Sequence, residues 1–221
     1  MVKMIKKYKW TLLITSLIIL APIYFGYMLW DELPDMMATH WGMDNQPNGY
    51  STKAMAVYGI PLIMLAMQWF MLFVTELDLK KKNHSKKLMQ LVLWIIPMMT
   101  LLVSAMCYAY ALGIELDMGF WALFFLGVLF TIIGNYLPKC RQNWTMGIKL
   151  PWTLSDAENW NHTHRLAGPV WVAGGLMLIL CSFFSRHSIG MYGSIVVIVL
   201  MVTIPTVYSY LYYKKHRSED E

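Results

Sequence analysis

Soft donors gather early in the chain. Met36, Met37, His40 and Met43 lie within eight residues, and thioether and imidazole groups together suit copper. The chain holds 19 Met spread over its whole length, so a local set of three needs no metal to explain it. His40 by itself could sense pH. His162 and His164 stand two apart and face different sides of any helix, which is poor zinc geometry, and there is no H-E-x-x-H. Cys107, Cys140 and Cys181 show no C-x-x-C spacing and read as small apolar side chains. No Ser shares a membrane side with a His and an Asp that would complete a triad. No Gly-rich phosphate loop and no pair of carboxylates at a fixed spacing is present. The residues point to no enzyme, no metal and no cofactor.

What must position these residues is a membrane scaffold. Of 221 residues, 57% are hydrophobic and 14% are charged. A soluble domain carries roughly 25% charged residues, so this surface could not cover so much apolar bulk in water. About 20 apolar residues cross a bilayer. Six segments qualify: Trp10–Trp30, Ala54–Thr75, Leu88–Leu112, Phe120–Leu137, Ala167–Phe184 and Ile189–Tyr213, none with Asp, Glu, Lys or Arg in its interior. The first is too long for a signal peptide and no A-x-A site follows it. The fold class is all-α, a polytopic protein of six transmembrane helices. All Lys and Arg except Lys53 and Arg186 fall on one side, which sets both termini inside (N-in/C-in). The net charge of +5 reports that topology and anionic lipid, and no nucleic-acid partner is needed to account for it.

Two connections exceed their linking duty, and they divide the chain. Residues 1–87 form a two-span region with a structured outer loop 31–53. Residues 88–221 form a four-span region with an inner loop 138–166. In the outer loop Leu33-Pro34 ends the first helix, Pro47-Asn48-Gly49 reads as a turn, and Trp41 suits the interface. In the inner loop Ser155-x-x-Glu158 reads as a capping box that starts a helix near Asp156. On that helix Trp160, His164, Ala167 and Trp171 share a face, and Trp144 and Trp152 suggest a segment folded against the bundle. Five prolines, Pro22, Pro61, Pro97, Pro169 and Pro205, can kink spans, and Gly174-Gly175 allows close helix contact. The two halves faintly suggest an inverted repeat, a transporter-like feature. The mid-membrane polar groups, Gln68, Ser104 and Thr203 among them, are amides and hydroxyls with no carboxylate, which disfavours proton-coupled transport.

The two loops carry a resemblance. The run from Gly134-Asn135 through Asn143, Gly147-Ile148, Pro151-Trp152-Thr153-Leu154, Trp160 and Thr163-His164-Arg165 to Gly168 resembles the SdpI family of Gram-positive membrane proteins. The run Leu33-Pro34, His40-Trp41 and Pro47 to Lys53 resembles a small domain of unknown function in that family's N-terminal half. Lys149-Leu150 stands where the family commonly has Arg-Thr, and Asn45 stands where Gly is usual. The resemblance implies a six-span immunity protein of the bacterial cell membrane that protects against a secreted peptide toxin. It also implies a receptor that draws a cytosolic transcriptional repressor to the membrane. A small-molecule transporter or permease and a membrane-embedded enzyme are the alternatives. His40, Trp41, Pro47, Gly49, Tyr50 and Lys53 are the expected toxin-facing residues. Asn135, Asn143, Gly147, Lys149, Pro151, Trp152, Trp160, His164 and Arg165 are the expected inner motif, structural or for a cytosolic partner.

Overall fold

The computed structural model describes residues 2–42 and 44–217, so Met43 of the copper reading lies outside the described residues. Among those residues, six helices are long and apolar enough to cross a membrane. They are α1 (Val2–Met28), α2 (Ile60–Leu77, entered through a π-helical turn Met55–Gly59), α3 (Lys86–Ala111), α4 (Met118–Tyr136), α6 (Ala157–Ser182) and α7 (Ser188–Arg217). A short helix, α5, covers Pro151–Ser155. Helices are what an apolar run must form in hydrocarbon, because each backbone polar group needs a partner within the segment. Pro22, Pro97, Pro169 and Pro205 lie inside their helices. Pro61 instead sits at the junction between the π turn and α2.

The outer loop is a β-hairpin, which the helical reading did not foresee. Strand β1 (Met36–Trp41) pairs antiparallel with β2 (Pro47–Thr52), with Met36 opposite Thr52 and Trp41 opposite Pro47. The expected turn at Pro47-Asn48-Gly49 is therefore corrected. Those residues lie in β2, Pro47 opening it where a missing N–H costs no ladder bond. The chain reverses at Gly42–Gln46 instead, where Gly42 N–H donates to Gln46 O at 2.8 Å. Asn45 takes a φ of 64°, a left-handed conformation that asparagine tolerates where Gly is the usual choice.

The chain divides into two compact units: Met1–Leu77 with Met89–Met118, and Asp78–Leu88 with Gly119–Glu221. In the first, Leu33, Met37, Ala56, Val57, Cys107 and Tyr108 form a buried apolar cluster beneath the hairpin. The Tyr108 hydroxyl donates to Pro22 O at 3.0 Å, and Gln68 Nε2 donates to Thr15 Oγ1 at 2.8 Å, tying α2 to α1. Lys53 folds inward, its Nζ donating to Trp30 O at 3.0 Å and lying 3.7 Å from Asp35.

In the second unit α4 and α6 meet backbone to backbone. A Cβ on Gly127 would stand 2.6 Å from Gly175 O, and one on Gly134 would stand 2.9 Å from Gly168 O. The glycines are spaced seven apart on both helices and pair in antiparallel order, so one seam holds the crossing. Close approach of this kind is how helices associate in lipid, where the hydrophobic effect does not drive them together. The neighbouring Gly174 faces the other way, and a Cβ there would stand 2.3 Å from Met201 of α7. The expected close contact at Gly174-Gly175 is thus a two-sided one. Gly175→Val should separate α4 from α6 and lower thermal stability in detergent by about 1–3 kcal/mol, the usual range for overpacking. Gly193→Ala, whose Cβ would meet Cys181 Sγ at 3.4 Å, should leave the melting temperature unchanged. Similar melting temperatures for the two variants would show that the seam is not tight.

Candidate functional site

The connection between α4 and α6 is irregular chain, so its backbone groups need side-chain partners. Asn143, 1% exposed, supplies several. Its Oδ1 accepts from Thr145 N at 2.9 Å and Met146 N at 2.7 Å, and its Nδ2 donates to Arg141 O at 2.8 Å. Thr153 closes the entry to α5, its Oγ1 accepting from Leu150 N at 2.9 Å and donating to Ile148 O at 2.8 Å. Pro151 takes the first position of α5, where no N–H is needed.

Trp160 and His164 of α6 form the centre of this fold. Trp160 is fully buried and its Nε1 donates to Cys140 O at 2.7 Å. His164, 1% exposed, stacks on it with ring centroids 4.1 Å apart. The carbonyl of Trp160 lies 2.8 Å from His164 Nδ1, and Ile148 N–H lies 2.9 Å from Nε2. A carbonyl can only accept and an amide N–H can only donate, so the ring donates from Nδ1 and accepts at Nε2. Gly147, with φ of 110°, lies flat on both rings; a Cβ there would stand 2.5 Å from His164 Nε2. Trp152 joins α5 to α7, with Nε1 donating to Ser209 Oγ at 2.8 Å and its rings against Tyr210 and Tyr213. Asn159 donates to Ser209 O at 3.0 Å and accepts from Thr163 Oγ1 at 3.0 Å.

A second layer comes from the Asp78–Leu88 segment, which the sequence reading passed over. Asp78 Oδ1 accepts from Lys80 N at 2.7 Å, and Oδ2 accepts from Trp144 N and Thr145 Oγ1, both at 2.9 Å. His84 Nε2 lies 3.0 Å from both Asp78 Oδ2 and Thr145 Oγ1. Asn83 Nδ2 donates to Gln142 O at 2.7 Å, and Lys80 Nζ bonds Gln142 Oε1. Gln142 Nε2 then donates to Thr153 O and Leu154 O at 2.9 Å. The sequence argued against a Ser triad only, and the structure brings a threonine to a His and an Asp: Asp78, His84 and Thr145 meet. Their geometry is not that of a nucleophile relay, which needs carboxylate and hydroxyl on opposite ring nitrogens. Here both lie on Nε2, and the buried Nδ1 has no partner among the described residues. The trio clamps one loop to another. Little in the sequence announced it, since Asp78 and Thr145 are 67 residues apart. The one local sign is the Asp78-x-Lys80 turn beside a basic run.

The site therefore gathers Asn143, Gly147, Pro151, Trp152, Trp160 and His164, while Asn135, Lys149 and Arg165 point outward. Ser155 is not the cap of α6. Asp156 is, its Oδ1 accepting from Glu158 N at 2.8 Å, and Ser155 ends α5 by donating to Trp152 O. Asp accepts the amide without the reach-back that a capping box needs. His162 is exposed and stacks on Tyr212, on the opposite side from His164. In the hairpin, His40 Nδ1 lies 2.5 Å from Asn48 Oδ1 and packs over Gly49. Trp41 meets Tyr110 edge-on, Tyr50 is exposed, and Lys53 is turned inward. Among the described residues, no three His, Cys, Asp or Glu side chains gather as a metal would require.

Burial opposes the charge on Asp78, but four hydrogen bonds outweigh it and hold its carboxyl below the ordinary 3.8. A carboxyl held low stabilises the fold fully above its unfolded value and loses that contribution as pH falls through the lower folded value. The contribution of Asp78 itself should then be fully present at neutral pH and fall only below about 4. Burial pushes the Cys140 thiol up to about 11, with Asn143 opposing. Asp78→Asn, which turns amide hydrogens toward donors, and Trp160→Phe should each raise the rate at which maleimide labels Cys140 at neutral pH. A loss of about 1–3 kcal/mol is the usual cost of an orphaned buried partner. Unchanged labelling in both variants would show that the clamp does not hold the loop.

Comparison with known proteins places these elements. Residues 139–209 match the SdpI/YfhL protein family, and residues 17–65 match a Domain of unknown function (DUF1648). The chain is 30% identical to Immunity protein SdpI of Bacillus subtilis (strain 168), across 92% of this chain and 96% of that one. No solved structure matches. With the hairpin inside one matched region and the Trp160–His164 fold inside the other, this chain belongs to the SdpI family.

Proposed function

We propose that this multi-pass membrane protein is an immunity protein of the bacterial plasma membrane, protecting its cell from a secreted peptide toxin by binding it without turnover. The observation that carries this reading is the identity to Immunity protein SdpI along nearly the full length of both chains. In this reading both termini and the 138–166 connection face the cytoplasm, as the distribution of Lys and Arg supports, and the hairpin faces outward.

The hairpin suits a cationic, partly apolar peptide. Met36 and Tyr50 are each more than half exposed, and Asp31, Glu32, Asp35 and Asp44 are exposed around them. Lys53, the cation among them, is spent on Trp30 and Asp35. A net negative field, one cation against four carboxylates, raises the encounter rate of a positive ligand. Binding there could recruit a cytosolic repressor to the inner face, where Lys149 and Arg165 stand exposed. Trp160 and His164 serve the loop's own fold in this scheme, and the outward residues carry the contact.

Expression in a toxin-sensitive strain tests the function. Survival should scale with the amount of this protein relative to toxin, and toxin in molar excess should be recovered intact from membranes that hold the protein. Cleaved or modified toxin in such excess would point to an enzyme. Replacing Asp31, Glu32, Asp35 and Asp44 by their amides should lower protection against a cationic toxin by about tenfold, less at high salt. For topology, a cysteine at 45 should be labelled from outside in intact cells and one at 158 only after permeabilisation. The reverse pattern would invert the proposed orientation.

A further inference from the structure

A cluster of which the immunity reading uses Arg165 alone lies on the outward face of the first two turns of α6. Glu158, Asn161, His162 and Arg165 line a shallow groove there, and all four are exposed. Their spacing of three, four and seven residues puts them on one helix face, with Glu158 and Arg165 about 10 Å apart along the axis. α7 closes one side. Tyr212 stacks on His162 at 4.9 Å and on His216 at 4.1 Å, and its hydroxyl reaches Glu158 Oε2 at 3.4 Å. Opposite charges thus stand at the two ends of one groove without pairing. Neither Glu158 nor Arg165 forms an ion pair among the described residues.

The depth of the groove identifies what could bridge them. From Leu166 to Ser182, α6 runs 17 residues, which is about 25 Å of the ~30 Å hydrocarbon layer. Arg165 therefore stands at the edge of the hydrocarbon and Glu158 at the watery side of the headgroup layer. A zwitterionic phospholipid carries its charges in the complementary order, with the phosphate next to the glycerol and the amine beyond it.

We propose that this groove is a headgroup site for a phospholipid bearing a primary ammonium, of the phosphatidylethanolamine type. Arg165 takes the phosphate bidentately, with Asn161 and His162 as further donors, as guanidinium geometry favours. Glu158 accepts from the ammonium. A choline headgroup offers no N–H to Glu158. A glycerol headgroup offers no cation, and its phosphate alone leaves Glu158 uncompensated. The argument depends on the helix crossing a bilayer and not on the immunity reading.

Native mass spectrometry of the purified full chain in detergent tests it. The lipids are phosphatidylethanolamine, phosphatidylcholine and phosphatidylglycerol of the same acyl chains. Phosphatidylethanolamine should be retained over phosphatidylglycerol by about fivefold, the effect of one semi-exposed ion pair. Glu158→Gln should bring that ratio to about one, Arg165→Gln should lower retention of all three, and Arg165→Lys should restore part of it. Both side chains are exposed, so unchanged melting temperatures without lipid are expected and distinguish lost binding from lost folding. Equal retention of the two lipids by the unaltered protein would overturn the proposal, as would a preference that survives both Glu158→Gln and Arg165→Gln. Displacement of the lipid by an equal concentration of soluble glycerophosphoethanolamine would also overturn it, assigning the groove to a free zwitterion instead.

Discussion

A backbone amide or carbonyl shut away from water must find a partner, whether in hydrocarbon or inside the protein, and the structure depends on how that constraint is met. Within the six long helices each segment meets it alone. The irregular stretch between α4 and α6 cannot. It depends on one imidazole: His164 donates to Trp160 O, accepts from Ile148 N–H, and stacks on the indole that in turn bonds Cys140 O. Gly147 is required beside it because the rings leave no room for a Cβ and the backbone takes a positive φ.

The Asp78 clamp extends the same logic to a second connection. Its carboxylate takes amide and hydroxyl donors from the loop that Asn143 and Gln142 organise. Buried charge is tolerable only with such a full complement of donors. The result is a polar cap from one contiguous set of bonds, with Trp160 and His164 turned inward and Trp144, Lys149 and Arg165 exposed. At the other end of the chain's long loops, the hairpin behaves oppositely. It buries Met37 and Ala38 and leaves Met36, Tyr50 and four carboxylates exposed. One loop is spent on its own stability and the other keeps its surface available.

Much of this was legible in the residues themselves. Six apolar runs specify six helices because helix formation is local and the hydrocarbon thickness sets the length. The inner motif was legible as a unit, since Trp160 and His164 are one turn apart and must share a face. Gly174-Gly175 announced close packing. The hairpin was not legible, because β1 reads Met-Met-Ala-Thr-His-Trp without strict alternation and the pairing with Pro47–Thr52 is non-local. The Gly127 and Gly134 partners of Gly175 and Gly168 were equally silent, since seven-residue spacing means nothing until the facing helix is known. The meeting of Asp78, His84 and Thr145 belongs to the tertiary structure alone. Local pattern and composition decide which segments enter the membrane, whereas contacts between residues 60 or more apart depend on how the helices bring their ends together.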